Sequence, residues 1–161
     1  TAQQAILLNA RAGATTYASG AKSYLAGISS GTNRYLTWFG DFTTSRLNTV
    51  KSHFDALTTA WTSASVTFDC KCKQNYYAYV YPDRPYTIYL CKVFWQAPLT
   101  GTDSQSGTLI HEMSHFNVVA GTDDFVYGQT GAKSLAVTNP DNAINNADNH
   151  EYFAENNPPL Q

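Results

Sequence analysis

The chain has 161 residues, enough for one domain with one sizeable core, and 43% of them are hydrophobic. Only 14% are charged and the formal net charge is −2, which excludes the basic footprint of a nucleic-acid or anionic-membrane binder. No apolar run approaches the roughly 18 residues of a membrane helix. Polarity comes instead from Thr, Ser, Asn and 11 Tyr, a balance common in secreted chains.

Residues 1–29 are Ala-rich and helix-friendly, with Tyr17, Ala21, Tyr24, Leu25 and Ile28 on one face at spacings of three and four. "SSGTN" stops that helix, and "RYLTWFGDF" follows as an aromatic connector or short helix. Leu47, Val50, Phe54, Leu57 and Trp61 then mark a second amphipathic helix of about four turns, its aromatics assigned to the core. From Val66 the residues turn β-branched and aromatic. "VTFDCKC", "YYAYVYP" and "YTIYLCKVFW" read as three strands, with "PDRP" joining the last two into a hairpin.

"APLTGTDSQ" is a loop in which Asp103 or Ser104 can cap a helix running through "QSGTLIHEMSHF". "NVVAGTDDFVYG" holds two Gly and no helical period, so it reads as a loop. "QTGAKSLAVTNP" makes a short helix ended before Pro140, and the tail makes a last helical segment ended by Pro158 and Pro159. The chain starts at Thr1 without a Met or a signal peptide, so it is expected to be a processed or trimmed product.

There are three cysteines. Cys70 and Cys72 would point to opposite faces of a strand, which argues against a bridge between them. Cys72 with Cys91 could close the hairpin, leaving Cys70 odd and asking for a partner upstream of Thr1. Three reduced cysteines in a cytosolic protein is the competing reading.

"HEMSH" at 111–115 carries the chemistry. His111 and His115, four apart on a helix, lie one above the other and can reach a single metal ion. Glu112 sits beside that face. Zinc lowers the pKa of a bound water to about 7, and Glu112 would take its proton during attack on a peptide carbonyl and pass it to the leaving amine. Two surface histidines on an ordinary helix is the bland alternative. Catalytic zinc takes a third protein ligand. Asp123, Asp124, His150, Glu151 and Glu155 are candidates, a carboxylate is reasonable, and spacing does not separate Asp123 from Asp124. Gly121 supplies the backbone freedom to fold the loop back over the metal.

"HEMSH" followed by "GTDDFVYG" resembles H-E-x-x-H plus G-T-x-D-x-x-Y-G, the signature of the deuterolysin or aspzincin metallopeptidases. "TWFG", "FDCKC", "AYVYPDR", "YLCKVFW", "TGTDSQSGTLIHE" and "NADNHEYFAENNP" further resemble one branch, the peptidyl-Lys metalloendopeptidases. The resemblance implies one Zn2+ held by His111, His115 and Asp124, with Glu112 as base and Tyr127 hydrogen-bonding the oxyanion. It implies cleavage on the amino side of lysine, with Asp148 and Glu151 selecting the lysine side chain. These two are three apart and would share a helix face, where a buried ammonium needs a carboxylate; a solvated acidic face is the alternative. The family pairs the first cysteine of the C-x-C segment with one near the mature N-terminus, and this chain has none before Cys70.

The expected fold is α+β. It is a zincin-like metallopeptidase domain over residues 1–161, with N-terminal helices, a small antiparallel β region, the H-E-x-x-H helix and C-terminal helical segments. The protein is expected to be secreted as a zymogen, monomeric, and active on peptides and proteins. Two other readings stay open. A thermolysin-like enzyme would take Glu151 or Glu155 as third ligand and lack lysine preference. A non-enzymatic secreted module would hold structural zinc, which needs four protein ligands.

Overall fold

The computed structural model describes residues 1–161, which form seven α-helices and a small sheet. Helix α1 spans Ala2–Ala26, α2 Asn33–Phe39 and α3 Thr44–Ser63. Each begins at a threonine cap: Thr1, Thr32 and Thr43 accept hydrogen bonds from the amides of Gln4, Tyr35 and Arg46. The spacing-derived face of α3 holds, since Leu47, Val50, Phe54, Leu57 and Trp61 are all buried.

The buried face of α1 differs from the expected one. Leu7, Ala10, Ala14, Ala18, Ala21 and Leu25 are buried, while Tyr17, Tyr24 and Ile28 are half-buried along the edge. The stripe of small residues lets α1 lie close against α3 and α4, an approach that tyrosines would block. Ser106 of α4 donates directly to the Ala10 carbonyl at 3.1 Å.

The strands β1 (Thr67–Asp69), β2 (Ala78–Tyr79) and β3 (Thr87–Leu90) form one sheet in the order β1-β3-β2. The β2–β3 hairpin is antiparallel, with Tyr79 opposite Tyr89, as the turn residues require. β1 departs from the expected antiparallel region and pairs parallel to β3, Phe68 beside Ile88. The hairpin occupies one edge of β3, so β1 takes the other, and residues 70–77 cross between them. Cys72–Cys91 and the amide of Lys92 bonded to the Gln74 carbonyl hold that crossing in place. The outer edge of β2 stays open.

After a 3₁₀ turn at Phe94–Gln96 come α4 (Gln105–His115), α5 (Gly128–Thr138), the short α6 (Pro140–Ala143) and α7 (Ala147–Glu155). Ser104, not Asp103, caps α4 by accepting from the Gly107 amide. The tail therefore holds two helices where one was expected, divided by the turn at Ile144–Asn146. α4 packs on α1 and α7. No helix is long and apolar enough to cross a membrane.

Candidate metal centre

Every residue of α4 is buried, although the helix carries more polar side chains than apolar ones. Each buried polar group must then find a partner. Gln105 donates to the Phe94 carbonyl and Ser114 to the His111 carbonyl, with Ser114 also bonded to Thr122. Leu109, Ile110 and Met113 fill the core. What remains of the polar set, Thr108, His111, Glu112 and His115, faces one cavity of about 580 Å³. Asp124, Tyr127, Asp148 and Glu151 line the same cavity, so all seven residues singled out in the sequence meet there.

The ring nitrogens decide what the cavity can hold. His111 Nδ1 lies 2.6 Å from Asp148 Oδ1, and His115 Nδ1 lies 2.8 Å from the Thr122 carbonyl oxygen. Both Nδ1 atoms are therefore donors, which leaves both Nε2 atoms as bare lone pairs. These two lone pairs are 3.2 Å apart, and each is 3.1 Å from Asp124 Oδ1. Three acceptors this close repel unless a cation lies among them. Ligand distances of about 2.0 Å around a tetrahedral zinc put ligand atoms about 3.3 Å from one another, which the triangle matches. The donor set thus fits zinc, which His111, His115 and Asp124 would hold.

Charge points the same way. Burial opposes protonation of His111, but Asp124 and Asp148 outweigh it and raise its pKa well above the usual imidazole value. Burial opposes a charge on His115 too, and Asp124 again prevails. Burial alone would raise the Asp124 carboxyl; the two imidazoles hold it far below the carboxylate range. The centre is built to take positive charge.

Asp124 arrives from a loop. Gly121, at φ +58°, turns the chain after the end of α4, and the amides of Gly121 and Thr122 bond back to the Phe116 and Ser114 carbonyls. Asp123 is exposed and does not line the cavity; its backbone pairs with Asn146 as an isolated parallel bridge. Tyr127 stacks its ring on His111, centroids 6.5 Å apart, and heads α5. Burial and the Asp124 charge push its hydroxyl up to about 12, so it stays a donor through neutral pH. Glu112 is buried next to His111, its Oε1 3.8 Å from His111 Nε2, and burial raises its carboxyl above the usual range.

Asp148 and Glu151 sit on the first two turns of α7, and their situations differ. Asp148 uses both oxygens, Oδ1 toward His111 and Oδ2 accepting from the Gly128 amide at 2.7 Å. Glu151 is buried with its Oε1 3.7 Å from His111 Nδ1, the nitrogen already held by Asp148. Glu155 faces away from the imidazoles, accepting from the Ser104 amide at 2.8 Å, the Ser104 hydroxyl and the Asp103 amide. Neither glutamate offers an oxygen to the two Nε2 atoms, so the geometry favours Asp124. Only three donors converge, which does not suit a closed four-ligand structural site. Burial raises both glutamates above their usual range, and the Glu155 charge adds to the push on Glu151.

Sequence reasoning did not single out Thr122, whose carbonyl orients His115, or Asn146. Nothing in their spacing marks them; they act through backbone atoms or across gaps of sequence.

Two imidazoles four apart on a buried helix, a loop carboxylate completing their triangle and a glutamate alongside define a metallopeptidase centre of the H-E-x-x-H class. A family model described as lysine-specific metallo-endopeptidase, the aspzincin family, matches residues 24–155. The chain belongs to that family, and membership implies a metal. An extracellular protease of Aeromonas hydrophila is 54% identical over 97% of this chain, which spans 45% of that protein. A peptidyl-Lys metalloendopeptidase of Pleurotus ostreatus is 58% identical over 95% of this chain and 92% of its own length. A solved zinc peptidase of Grifola frondosa superposes with a TM-score of 0.96 at 49% identity, over 100% of this chain and 99% of that one. The chain thus spans less than half of some relatives and nearly all of others.

Proposed function

We propose that this chain is the catalytic domain of an extracellular zinc endopeptidase that hydrolyses peptide bonds on the amino side of lysine. His111, His115 and Asp124 hold one zinc ion, and the domain acts as a monomer on peptide and protein substrates. The observation that carries the reading is the triangle of acceptor atoms at 3.1–3.2 Å, opening on a cavity that also holds a buried carboxylate, Glu151.

When bound, zinc polarises the scissile carbonyl and lowers the pKa of a coordinated water to about 7. The residues of the chain do the remainder. Glu112 takes a proton from the attacking water and returns it to the leaving amine, and its raised pKa suits both roles. Tyr127 donates its hydroxyl to the carbonyl oxygen as negative charge develops there. An extended substrate adds to the open edge of β2, whose Ala78 and Tyr79, with Val80 just beyond, wall the cavity.

The lysine preference follows from the acids around Glu151. Buried carboxylates with raised pKa values favour a cationic guest, since an ammonium restores their charged form. An apolar side chain leaves Glu151 buried without a cationic partner, which is unfavourable by several kcal/mol in order of magnitude. A mass-spectrometric cleavage profile of a denatured protein mixture, with and without chelator, tests activity, metal dependence and bond class together. Cuts should fall before lysine and vanish with chelator. Cuts without lysine enrichment would remove the specificity assignment, and chelator-resistant cuts the zinc.

A further inference from the structure

We propose that Asn146 is a positioning residue for the metal centre, its side-chain amide fixing the loop that delivers Asp124. The inference rests on the reading of Asp124 as a metal ligand.

Asp124 belongs to no helix or strand, and exposed Val118, Phe125 and Tyr127 give the surrounding loop little apolar anchorage. Ligand atoms must nonetheless be held within about 0.5 Å of productive geometry. Polar bonds to a single turn do the holding. Before Asp124, the Asp123 amide donates to the Asn145 carbonyl at 2.9 Å, and the Ala147 amide donates to the Asp123 carbonyl at 3.0 Å. After Asp124, Asn146 Oδ1 accepts from the amides of Phe125 at 2.8 Å and Val126 at 3.4 Å. Asn146 Nδ2 donates to the Val126 carbonyl at 3.2 Å. One side chain thus satisfies three backbone groups within two residues of the ligand.

That side chain is itself anchored. Asn146 is fully buried, and its second N–H donates to Asn149 Oδ1 at 2.8 Å. Asn149 donates in turn to the carbonyls of Trp38 and Ala132, so the loop is tied through two amides to α2 and α5. This arrangement needs an acceptor and two donors in one short planar group, which only an amide supplies. Two residues on, Asp148 holds His111 Nδ1 and the Gly128 amide. Residues 145–148, the end of the turn and the start of α7, therefore set Asp124, His111 and the backbone on both sides of Tyr127 together.

The test compares wild type with Asn146→Ala, Asn146→Asp, Asn149→Ala and Asp124→Ala. Zinc affinity of each apoprotein is measured by competition with a chromogenic chelator, alongside apoprotein Tm, kcat and KM for a lysine peptide. Asn146→Ala should weaken zinc binding roughly 10- to 100-fold, the range for groups that orient metal ligands. Its kcat should fall while KM changes little, because Glu151 is untouched. Asn149→Ala, which loosens the anchor but leaves the loop contacts, should lower Tm at least as far with a smaller loss of zinc affinity. Asn146→Asp serves where the alanine variant fails to fold. It keeps the acceptor and loses the donors, and its added negative charge would by itself tighten cation binding, so weaker binding supports the proposal. Zinc affinity like wild type in Asn146→Ala, affinity above wild type in Asn146→Asp, or a loss that tracks Tm as in Asn149→Ala, overturns it. Asp124→Ala separates the two levels. Stoichiometric zinc in that variant removes the ligand assignment itself, whereas zinc lost there but retained at wild-type affinity in Asn146→Ala removes only the positioning role.

Discussion

Asp148 Oδ1 lies 2.6 Å from His111 Nδ1, and this bond decides which nitrogen of His111 faces the cavity. The acid expected to recognise lysine is therefore also the group that orients His111, while Glu151 makes no such bond. The two carboxylates should separate on substitution. Glu151→Gln should keep zinc affinity within about threefold while kcat/KM for cleavage before lysine falls roughly 100-fold or more, the scale of one buried charge-assisted contact. Asp148→Asn places an amide N–H against either the His111 N–H or the Gly128 N–H, so zinc affinity should drop roughly 10- to 100-fold as well. Chelator competition and peptide kinetics on both variants check the division. Equal zinc loss in the two would assign Glu151 to the metal centre.

Gly107 shows how closely α7 approaches the helix that bears both histidines. A Cβ there would stand 2.0 Å from Glu155 Oε2. That oxygen accepts from the amide and hydroxyl of Ser104, so the carboxylate sits at the positive end of α4. Gly107→Ala must displace it, leaving buried donors unpaired, and should destabilise the fold by about 3 kcal/mol in urea unfolding. In Glu155→Ala, where that clash is gone, adding Gly107→Ala should be nearly free. A loss below about 0.5 kcal/mol for Gly107→Ala alone would mean that the carboxylate relocates without penalty.

Much of this was legible in the sequence because some residues announce themselves by local spacing. The apolar face of α3 and the pair His111 and His115 follow from the helical repeat alone. Asp124 was not legible in that way. Spacing leaves it level with Asp123, and resemblance to the family motif favours it; in the fold Asp124 lines the cavity and Asp123 does not. The face of α1 misled because an alanine stripe carries little hydropathy signal, although its small size is what close packing requires. The direction of β1 and the bond from Asp148 to His111 depend on residues far apart in the chain, where periodicity is silent.

His53 and His150 form a buried pair outside the centre. His150 Nδ1 donates to the Asn146 carbonyl at 2.8 Å, leaving its Nε2 to accept from His53 Nδ1 at 2.9 Å. Burial pushes His53 down to about 4 and His150 to about 3, with the His53 charge adding to the latter. Both folded values lie below the unfolded value of 6.5, so the unfolded chain binds more protons in acid. The stability of the neutral pair is whole above about pH 6.5 and is lost as pH falls toward 4 and then 3, at up to about 1.4 kcal/mol per pH unit for each ring. His53→Gln keeps a donor to His150 without titrating. Between pH 7.5 and 4.5 the variant should lose about 2–3 kcal/mol less than wild type in urea unfolding, with chelator in every sample so that metal loss cancels. Equal losses would mean that His53 remains neutral or solvated in both states.

The proposed cleavage before lysine would turn the enzyme on its own six lysines, and the secondary structure and the disulfide shield each one. Lys22, Lys51 and Lys133 lie within α1, α3 and α5, where the backbone cannot extend along β2. Lys71, Lys73 and Lys92 are exposed, but they flank Cys72 and Cys91, whose disulfide spans 19 residues. The Lys92 and Val93 amides add bonds to the Gln74 and Tyr76 carbonyls, so both segments stay paired. A disulfide closing a loop of this size contributes about 3 kcal/mol, and removing it should raise local opening roughly 100-fold. The paired variant Cys72→Ala with Cys91→Ala should therefore digest itself at micromolar concentration, with new N-termini at Lys71, Lys73 and Lys92 appearing first. Substituting cysteine avoids thiol reductants, which would strip zinc and mask the effect. Adding Glu112→Gln to the same chain should abolish those fragments, which marks them as self-inflicted. Fragments beginning first at Lys22, Lys51 or Lys133 would show instead that global unfolding, and not the loop tied by Cys72–Cys91, limits self-cleavage.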